Sequence, residues 1–335
     1  MKHLEMALDA LVSARTARHI AVRVGRGGRV IYDAFRGGVD EHTLFDMASV
    51  TKVMATTTLA LIALDRGLLR LDDPVSKFFK TDKPITVKHL LTHTMGMGYK
   101  PLYESGVPDA QIADAILSLP DDIPVGSDVR YSCPGFILLG KALEKVFGGR
   151  LNECFDDFVA KPLSMDETSF LPQGGMKFVN ANPEASEIGR VNDYNCRHLG
   201  GVSGNAGLFS SLADTTKYVK LLLDKGAPLF SEATFDAAVQ NYTAHMSESR
   251  GLGFLYVDER YAQTGGLFAE GAIGHCGHTG QSVFVDVSTG LYVIILSDAT
   301  LSVTQKHGVL HYDEVMEMRA QVHAAIAKDL LTLEA

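Results

Sequence analysis

The sequence predicts an α+β fold, in which one antiparallel sheet flanked by helices is built from both ends of the chain. Strand-like patterns occur only near the two ends, at 20–35 and 252–296, whereas helical spacing fills the middle. The apolar run at 53–64 has no polar face, which predicts a buried helix. We therefore expect one domain of sheet and terminal helices, formed by residues 1–70 and 243–335. Residues 71–242 are expected to form an inserted, all-α domain.

The N-terminal part begins with apolar residues at helical spacing, which predict a helix over 3–17. Two strands at 20–24 and 29–35 flank Gly25-Arg-Gly-Gly28, a sequence that favours a hairpin turn. Beyond residue 70, helical spacing recurs between Gly- and Asn-bearing loops. The predicted helices are 86–92, 109–119, 135–147, 152–159, 212–223 and 231–239.

Strand patterns return after Gly251. One strand is predicted at 252–257, and a hairpin at 280–287 and 291–296. A long amphipathic helix at 311–331 is expected to close the chain. Active sites favour the interface between domains, and the buried helix begins where the two domains are expected to meet.

The composition is that of an ordinary globular protein, with 335 residues, 46% hydrophobic and 21% charged. A net charge of −9 argues against a nucleic-acid partner. We recognise neither a membrane span nor a signal peptide, so we expect a cytoplasmic location unless an export leader has been lost. The four cysteines, Cys133, Cys154, Cys196 and Cys276, are widely spaced and are expected to be free thiols.

A Ser-x-x-Lys motif, Ser49 to Lys52, stands at the start of the buried helix. Residues three apart share a helix face, so the lysine amine is expected beside the serine hydroxyl. A serine hydroxyl becomes a nucleophile when a neighbouring base takes its proton. Burial would lower the pKa of Lys52 and make it such a base. The alternative is that Ser49 caps the helix and Lys52 lies at the surface.

A second candidate is Tyr131, which precedes a predicted helix with Ser132 as its cap. We expect its phenol to lie over Ser49 and to relay protons together with Lys52. The alternative is a half-buried aromatic that serves only packing.

The third candidate is the segment Gly274-His-Cys-Gly-His-Thr-Gly-Gln281, which leads into a predicted strand. Its glycines allow a ligand to approach the backbone closely. A backbone N–H after Gly280, with that of Ser49, is placed to hold a developing oxyanion. His278 and Thr279 are candidates for binding a substrate carboxylate or carbonyl. The alternative is a glycine-rich strand entry without a ligand.

A metal site competes for part of this segment. Suitable ligand types are His275, Cys276 and His278, together with Cys196 and His198. Their spacing matches no zinc pattern, and neighbouring residues of a strand point to opposite faces. We therefore expect no metal.

Taken in order, the three motifs resemble those of the serine beta-lactamase and penicillin-binding-protein superfamily. They are most similar to its class C beta-lactamase, DD-peptidase and esterase branch, and the segments 67–74, 86–94, 132–148 and 288–293 share the likeness. The resemblance implies a beta-lactamase/transpeptidase-like fold. It also implies acyl transfer to a serine followed by hydrolysis, with no metal or organic cofactor.

The resemblance further implies individual roles. Ser49 is the acylated nucleophile, and Lys52 and Tyr131 share general base and acid duty. The backbone N–H groups of Ser49 and Gln281 form the oxyanion hole. The residues expected to contact substrate are Cys133, His278, Thr279 and Gly280. The implied substrate is a small ester, amide or β-lactam, and the sequence leaves the oligomeric state undefined.

Two departures from the family pattern concern the substrate. Cys133 stands where most relatives have an Asn that contacts substrate amides, and a thiol is a poor donor and acceptor. His278 replaces a Lys, and much of a typical His is uncharged near neutral pH, which weakens recognition of anions.

A further stretch indicates the kind of substrate. Segments 189–195 and 200–210 resemble a block found in muropeptide-recycling members, including an N-acetylmuramyl-L-alanine amidase type. Asn205 stands there in place of the usual His. The resemblance therefore supports a muropeptide-like amide. The alternative function is a non-hydrolytic protein that binds penicillins or muropeptides with slow or no turnover.

Overall fold

The computed structural model describes residues 1–334, which form two antiparallel sheets surrounded by helices. The strands are β1 (Ile20–Arg26), β2 (Arg29–Arg36), β3 (Phe45–Asp46), β4 (Ser169–Phe170), β5 (Leu208–Ser210), β6 (Leu255–Tyr256), β7 (Ile273–Cys276), β8 (Ser282–Val285) and β9 (Leu291–Ser297). The α-helices are α1 (Lys2–Ser13), α2 (Thr58–Asp65), α3 (Val87–Leu91), α4 (Ile112–Ser118), α5 (Cys133–Phe147), α6 (Leu151–Phe155), α7 (Tyr194–His198), α8 (Leu212–Leu223), α9 (Glu232–Ala238), α10 (Ala299–His307) and α11 (Tyr312–Glu334).

The main sheet has the strand order β2-β1-β9-β8-β7-β6, so both ends of the chain build one sheet. β1 and β9 are paired along their whole length, from Ile20 opposite Ser297 to Arg26 opposite Leu291. The apolar residues of β9 alternate between the two faces of the sheet. Val293 packs in the core with α1 and α11, and Ile294 packs in the larger core on the helical side. The predicted α+β class, with a sheet from both chain ends, is confirmed.

The expectation that strands occur only near the chain ends is wrong. β3, β5 and β4 form a second sheet within and beside the region predicted to be helical. Two of these strands have two residues and one has three, too few to display an alternating pattern. β7 and α10 also escaped prediction; β7 contains Gly274, and its His-Cys end lacks the apolar alternation of a typical strand.

The buried helix carries the first motif. It starts with a 3₁₀ turn, Ala48–Val50, continues as a π-helical turn, Lys52–Thr57, and ends as α2. By length and composition alone, residues 48–65 are apolar enough to cross a membrane, but 83% of that window is buried inside the protein. It is therefore a core helix, and its N-terminal turn, which carries Ser49, contacts β7 of the main sheet.

Candidate active site

The Ser-x-x-Lys motif places its two polar groups in contact. Lys52 Nζ lies 3.0 Å from Ser49 Oγ. The lysine is fully buried, so it is not the surface residue of the alternative interpretation, while Ser49 stays partly exposed. Two further groups hold the ammonium, the carbonyl oxygen of Asn205 at 2.9 Å and Cys133 Sγ at 3.6 Å.

The backbone before the nucleophile is strained. Ala48 has a φ of 45°, in the left-handed region that a residue with a Cβ rarely adopts. Its N–H donates to Asp46 Oδ1 over 2.8 Å, which holds the turn in place. Strain of this kind persists only where surrounding contacts fix it, and it is enriched at functional sites.

Tyr131 lies against the same lysine, and Lys52 Nζ is 4.9 Å from the centre of its ring. The adjoining residue, Ser132, caps α5 by accepting a hydrogen bond from the backbone N–H of Gly135 at 3.0 Å. A buried imidazole supports the aromatic ring from behind, since the ring centres of His93 and Tyr131 are 4.6 Å apart. The backbone N–H of Ser132 donates to His93 Nδ1 at 2.9 Å, which fixes the loop that carries Tyr131.

The protonation of this pair differs from the sequence expectation. Burial lowers the pKa of Lys52, but the negative charges that Cys133 and Tyr131 carry once ionised, with a hydrogen bond to Tyr131, more than offset it, so the pKa is raised above 10.5. Burial also raises the pKa of Tyr131 above 10.0, although the charge of Lys52 opposes that shift. At neutral pH the resting site therefore holds an ammonium beside a neutral phenol, and a base forms when the pair loses one proton.

The turn between β7 and β8 is tied directly to the segment that carries the nucleophile. The carbonyl oxygen of Asp46 accepts hydrogen bonds from Thr279 Oγ1 at 2.9 Å and from Gln281 Nε2 at 2.5 Å. Gly277 makes this approach possible, because a Cβ there would lie 2.7 Å from the carbonyl oxygen of Met47. These contacts hold the turn that carries Gln281 against the residues that precede Ser49, and the oxyanion hole is expected from the backbone N–H groups of these two residues.

Three residues of this turn occupy different environments. The Thr279 side chain is buried, and its hydroxyl donates to the carbonyl oxygen of Asp46, so it helps to position the turn. Gly280 is required by packing, since a Cβ would lie 2.3 Å from Ser297 Oγ. His278 is exposed, and its ring stacks on Tyr312 with centres 5.3 Å apart. Desolvation by the surrounding groups lowers the pKa of His278, so it is mainly neutral at pH 7.

The side chains considered as metal ligands are used by the protein itself. His275 Nδ1 bonds the carbonyl oxygen of Cys276 at 2.8 Å, and Cys196 Sγ donates to the carbonyl oxygen of Ala206 at 3.2 Å. His198 Nε2 bonds the carbonyl oxygen of residue 107 at 2.6 Å. Within residues 1–334, no group of three or more His, Cys, Asp or Glu side chains is arranged to hold a metal ion.

Several site residues were missed or left without a role by the sequence reasoning. His93 lies in the segment 86–94, and Asp46 lies just before Ser49. Nothing in their spacing showed that His93 would support Tyr131 or that Asp46 would hold the turn at Ala48. Asn205 was noted only as a departure from relatives, yet its carbonyl oxygen holds Lys52. Asp193 lies in the segment 189–195, which was noted only for its resemblance to relatives, and the structure joins that segment to Asp46 through the backbone N–H of Asn192.

Comparison with known proteins shows what the chain is similar to. The family model described as Beta-lactamase matches residues 7–309. Esterase EstB from Burkholderia gladioli is 29% identical, over 87% of this chain and 88% of that protein. An N-acetylmuramyl-L-alanine amidase from Bacillus subtilis (strain 168) is 27% identical, over 77% of this chain and 68% of its own length.

Solved structures with the same architecture include EstCE1, described as a hydrolase with promiscuous acyltransferase activity. It superposes with a TM-score of 0.77 at 20% identity, over 97% of this chain and 98% of its own. Unliganded simvastatin synthase, LovD, from Aspergillus terreus superposes with a TM-score of 0.71 at 18% identity, over 97% of each chain. At these identities, the likeness concerns the fold alone.

Proposed function

The chain belongs to the beta-lactamase family and is a serine hydrolase, and from that premise we propose that it cleaves a small ester or amide through an acyl-enzyme on Ser49. The observation that carries the proposal is the 3.0 Å contact between Lys52 Nζ and Ser49 Oγ, with the Tyr131 ring beside Lys52. A nucleophile in contact with a buried base, itself held by further groups, is the arrangement that acyl transfer requires.

In the first step of this mechanism, Ser49 Oγ attacks the substrate carbonyl while its proton passes to the deprotonated Lys52–Tyr131 pair. The negative charge that develops on the carbonyl oxygen is accepted by the backbone N–H groups of Ser49 and Gln281. When the tetrahedral intermediate collapses, the bond to the leaving group breaks, and the pair returns the proton to that group.

Deacylation reverses these roles. The pair takes a proton from a water molecule as its oxygen attacks the ester carbonyl on Ser49. Collapse of the second intermediate releases the carboxylic acid, and the proton returns to Ser49 Oγ. No step requires a redox change or a further reactant beyond water.

The position of Cys133 supports esters over amides as substrates. Its thiol is buried, and burial raises its pKa, so it contacts Lys52 as a neutral group. A thiol offers little to the amide of a peptide or β-lactam side chain, where an Asn would both donate and accept. The similarity to Esterase EstB over most of both chains supports the same preference.

A second candidate is a non-hydrolytic protein that binds penicillins or muropeptides. The observation in its favour is that the pKa values of Lys52 and Tyr131 are both raised, so the base that deacylation needs is scarce at neutral pH. Ser49 of such a protein would be acylated slowly, and the acyl group would leave it more slowly still.

Mass spectrometry with p-nitrophenyl butyrate, a labelled penicillin and a fluorophosphonate separates the two candidates. A hydrolase gives steady nitrophenol release and a short-lived butyryl adduct on Ser49, whereas a binding protein gives a lasting penicillin adduct without turnover. Ser49→Ala is expected to abolish both reactions while keeping the circular dichroism and melting temperature of the parent. Turnover that persists in Ser49→Ala would overturn the assigned nucleophile.

A further inference from the structure

Asp193 lies in the segment that contacts Asp46, and within the described residues only one of its two carboxylate oxygens has a hydrogen-bond partner. Its Oδ1 accepts a hydrogen bond from the backbone N–H of Cys196 at 2.7 Å, which caps the short helix α7. The preceding residue, Asn192, donates its backbone N–H to Asp46 Oδ2 at 2.6 Å, three residues before Ser49. Among residues 1–334, no ion pair or hydrogen-bond donor is found for Asp193 Oδ2.

Three tyrosines lie on α7 and on the loop that is fastened to it. Tyr194 follows it in sequence, and its ring centre lies 5.3 Å from that of Tyr103. The loop that carries Tyr103 and Tyr99 is fastened to α7 by Asn195, which accepts from the Tyr103 backbone N–H at 3.1 Å and donates to the residue-100 carbonyl oxygen at 2.9 Å. Tyr99 and Tyr194 are 54% and 58% exposed, so two large aromatic side chains of these segments face solvent.

The electrostatic surroundings match this arrangement. Desolvation, followed by the charge of Asp193, raises the pKa of Tyr99 to about 12, so the carboxylate acts on this phenol. Tyr103 and then Cys133 act on the Tyr99 pKa in the same direction.

The lysine and the arginine near Asp193 are already paired with other groups. Lys52 is buried and bound to three other groups. Arg197, which lies 5.3 Å from the ring centre of Tyr194, is paired with Glu187 at 2.8 Å. His278 is mainly neutral at pH 7, because desolvation lowers its pKa. The exposed side of Asp193 therefore lacks a permanent cation of the protein.

We propose that Asp193, with Tyr99, Tyr103 and Tyr194, forms a subsite for an ammonium group on the acyl part of the substrate. A carboxylate attracts such a cation directly, and tyrosine faces attract it through the negative charge of their π-systems. A substrate carboxylate in the same place would be repelled. This inference rests on the proposed function, because it defines the acyl group that Ser49 receives.

The test compares two p-nitrophenyl esters of equal shape, those of 4-(trimethylammonio)butanoic acid and 5,5-dimethylhexanoic acid. They differ at one atom only, which is a positively charged nitrogen in the first ester and a neutral carbon in the second. We expect kcat/KM for the cationic ester to be about tenfold higher in the parent protein, mainly through a lower KM. Adding salt to 1 M should reduce the ratio severalfold.

Asp193→Asn keeps the cap, because an Asn side-chain oxygen also accepts from the Cys196 N–H. We expect the ratio of the two esters to fall to about one in this variant, and any common loss of activity cancels in the ratio. Asp224→Asn is the matched control, since Asp224 is paired with Lys220 on the helix α8 and its replacement removes the same charge. A parent ratio near one, or a ratio unchanged by Asp193→Asn, would overturn the subsite.

Calorimetric binding of the two esters to Ser49→Ala separates this inference from the proposed function. Preferential binding of the cationic ester, lost in the double variant with Asp193→Asn, supports the subsite even where the parent protein fails to hydrolyse either ester. Equal binding of both esters contradicts the subsite, whatever the outcome of the hydrolysis assay.

Discussion

Raising the pH from 7 to 9 is expected to increase kcat/KM for a neutral ester about 100-fold. The base of the mechanism is the Lys52–Tyr131 pair after loss of one proton, and both pKa values lie above their ordinary values of 10.5 and 10.0. Below those values, the deprotonated fraction of the pair grows about tenfold per pH unit, and the rate follows it. No plateau is therefore expected below about pH 10.

The assay measures initial rates with p-nitrophenyl butyrate at low substrate concentration, where the rate reports kcat/KM of the free enzyme. Release is read at the isosbestic wavelength of nitrophenol, so that the pKa of the product does not enter. Ser49→Ala at each pH gives the hydroxide-driven background, and a circular dichroism spectrum at each pH verifies that the protein stays folded.

A plateau at or below pH 8 would refute the reasoning, because it would mean that the base titrates near neutrality and that Lys52 is neutral in the resting enzyme. Tyr131→Phe then identifies the member of the pair that matters. If the phenol only packs, the variant keeps the slope and most of the rate; if it relays the proton, the rate falls at least 100-fold at every pH.

Three other substitutions test separate parts of the site. Cys133→Asn is expected to raise the ratio of amide or β-lactam hydrolysis to ester hydrolysis about tenfold, since an amide replaces a weak hydrogen-bonding thiol; an unchanged ratio in paired assays would mean that residue 133 does not meet the acyl group. Gly277→Ala places a Cβ 2.7 Å from the carbonyl oxygen of Met47, so kcat should fall at least tenfold. Gly174→Ala is the control, because its Cβ would meet open space, and it should match the parent. Equal kcat values for the two variants would contradict the role of this close approach. His278→Lys puts a permanent cation at an exposed site and should lower KM for carboxylate-bearing esters about threefold at low salt, with no such gain in 1 M NaCl; a gain that salt leaves intact would not be electrostatic.

The parts of the fold that follow from sequence are those set by local spacing. Ser49 and Lys52 are one helical turn apart, so their contact follows from residue positions alone, even though the turn proved to be 3₁₀ and π in character. The β1–β2 hairpin and β9 could also be predicted from the sequence, because the alternation of apolar residues and the turn residues specify them. The short β4 and β5 were not, because two or three residues carry no period and form strands only through their neighbours.

The parts that escaped prediction depend on contacts between distant segments. Burial of Lys52 suggested a lowered pKa, and the opposite shift arises from a phenol and a thiol that stand about 80 residues later in the chain. The place of Asp193 depends on Asn195, which fastens its helix to the loop of Tyr103 about 90 residues earlier. Side-chain types alone carry no information about such distances.

Asp46 joins three chain segments and explains why the site holds together. Its Oδ1 fixes the strained turn of Ala48, its Oδ2 holds the N–H of Asn192, and its carbonyl oxygen receives Thr279 and Gln281. The nucleophile, the segment with Asp193 and the oxyanion turn therefore keep fixed mutual positions through one buried residue.

This arrangement has a cost in stability. Burial, although opposed by the two backbone N–H groups, raises the pKa of Asp46 from 3.8 to about 6. A raised pKa means that the folded protein binds the proton more tightly than the unfolded chain does. The contribution of Asp46 to the free energy of unfolding therefore falls as the pH rises from about 4 to about 6, by roughly 3 kcal/mol. At neutral pH the protein keeps a buried, charged carboxylate at that expense, because only the ionised group accepts both N–H groups with equal strength and so holds the Asn192 segment and the turn at Ala48 in place together.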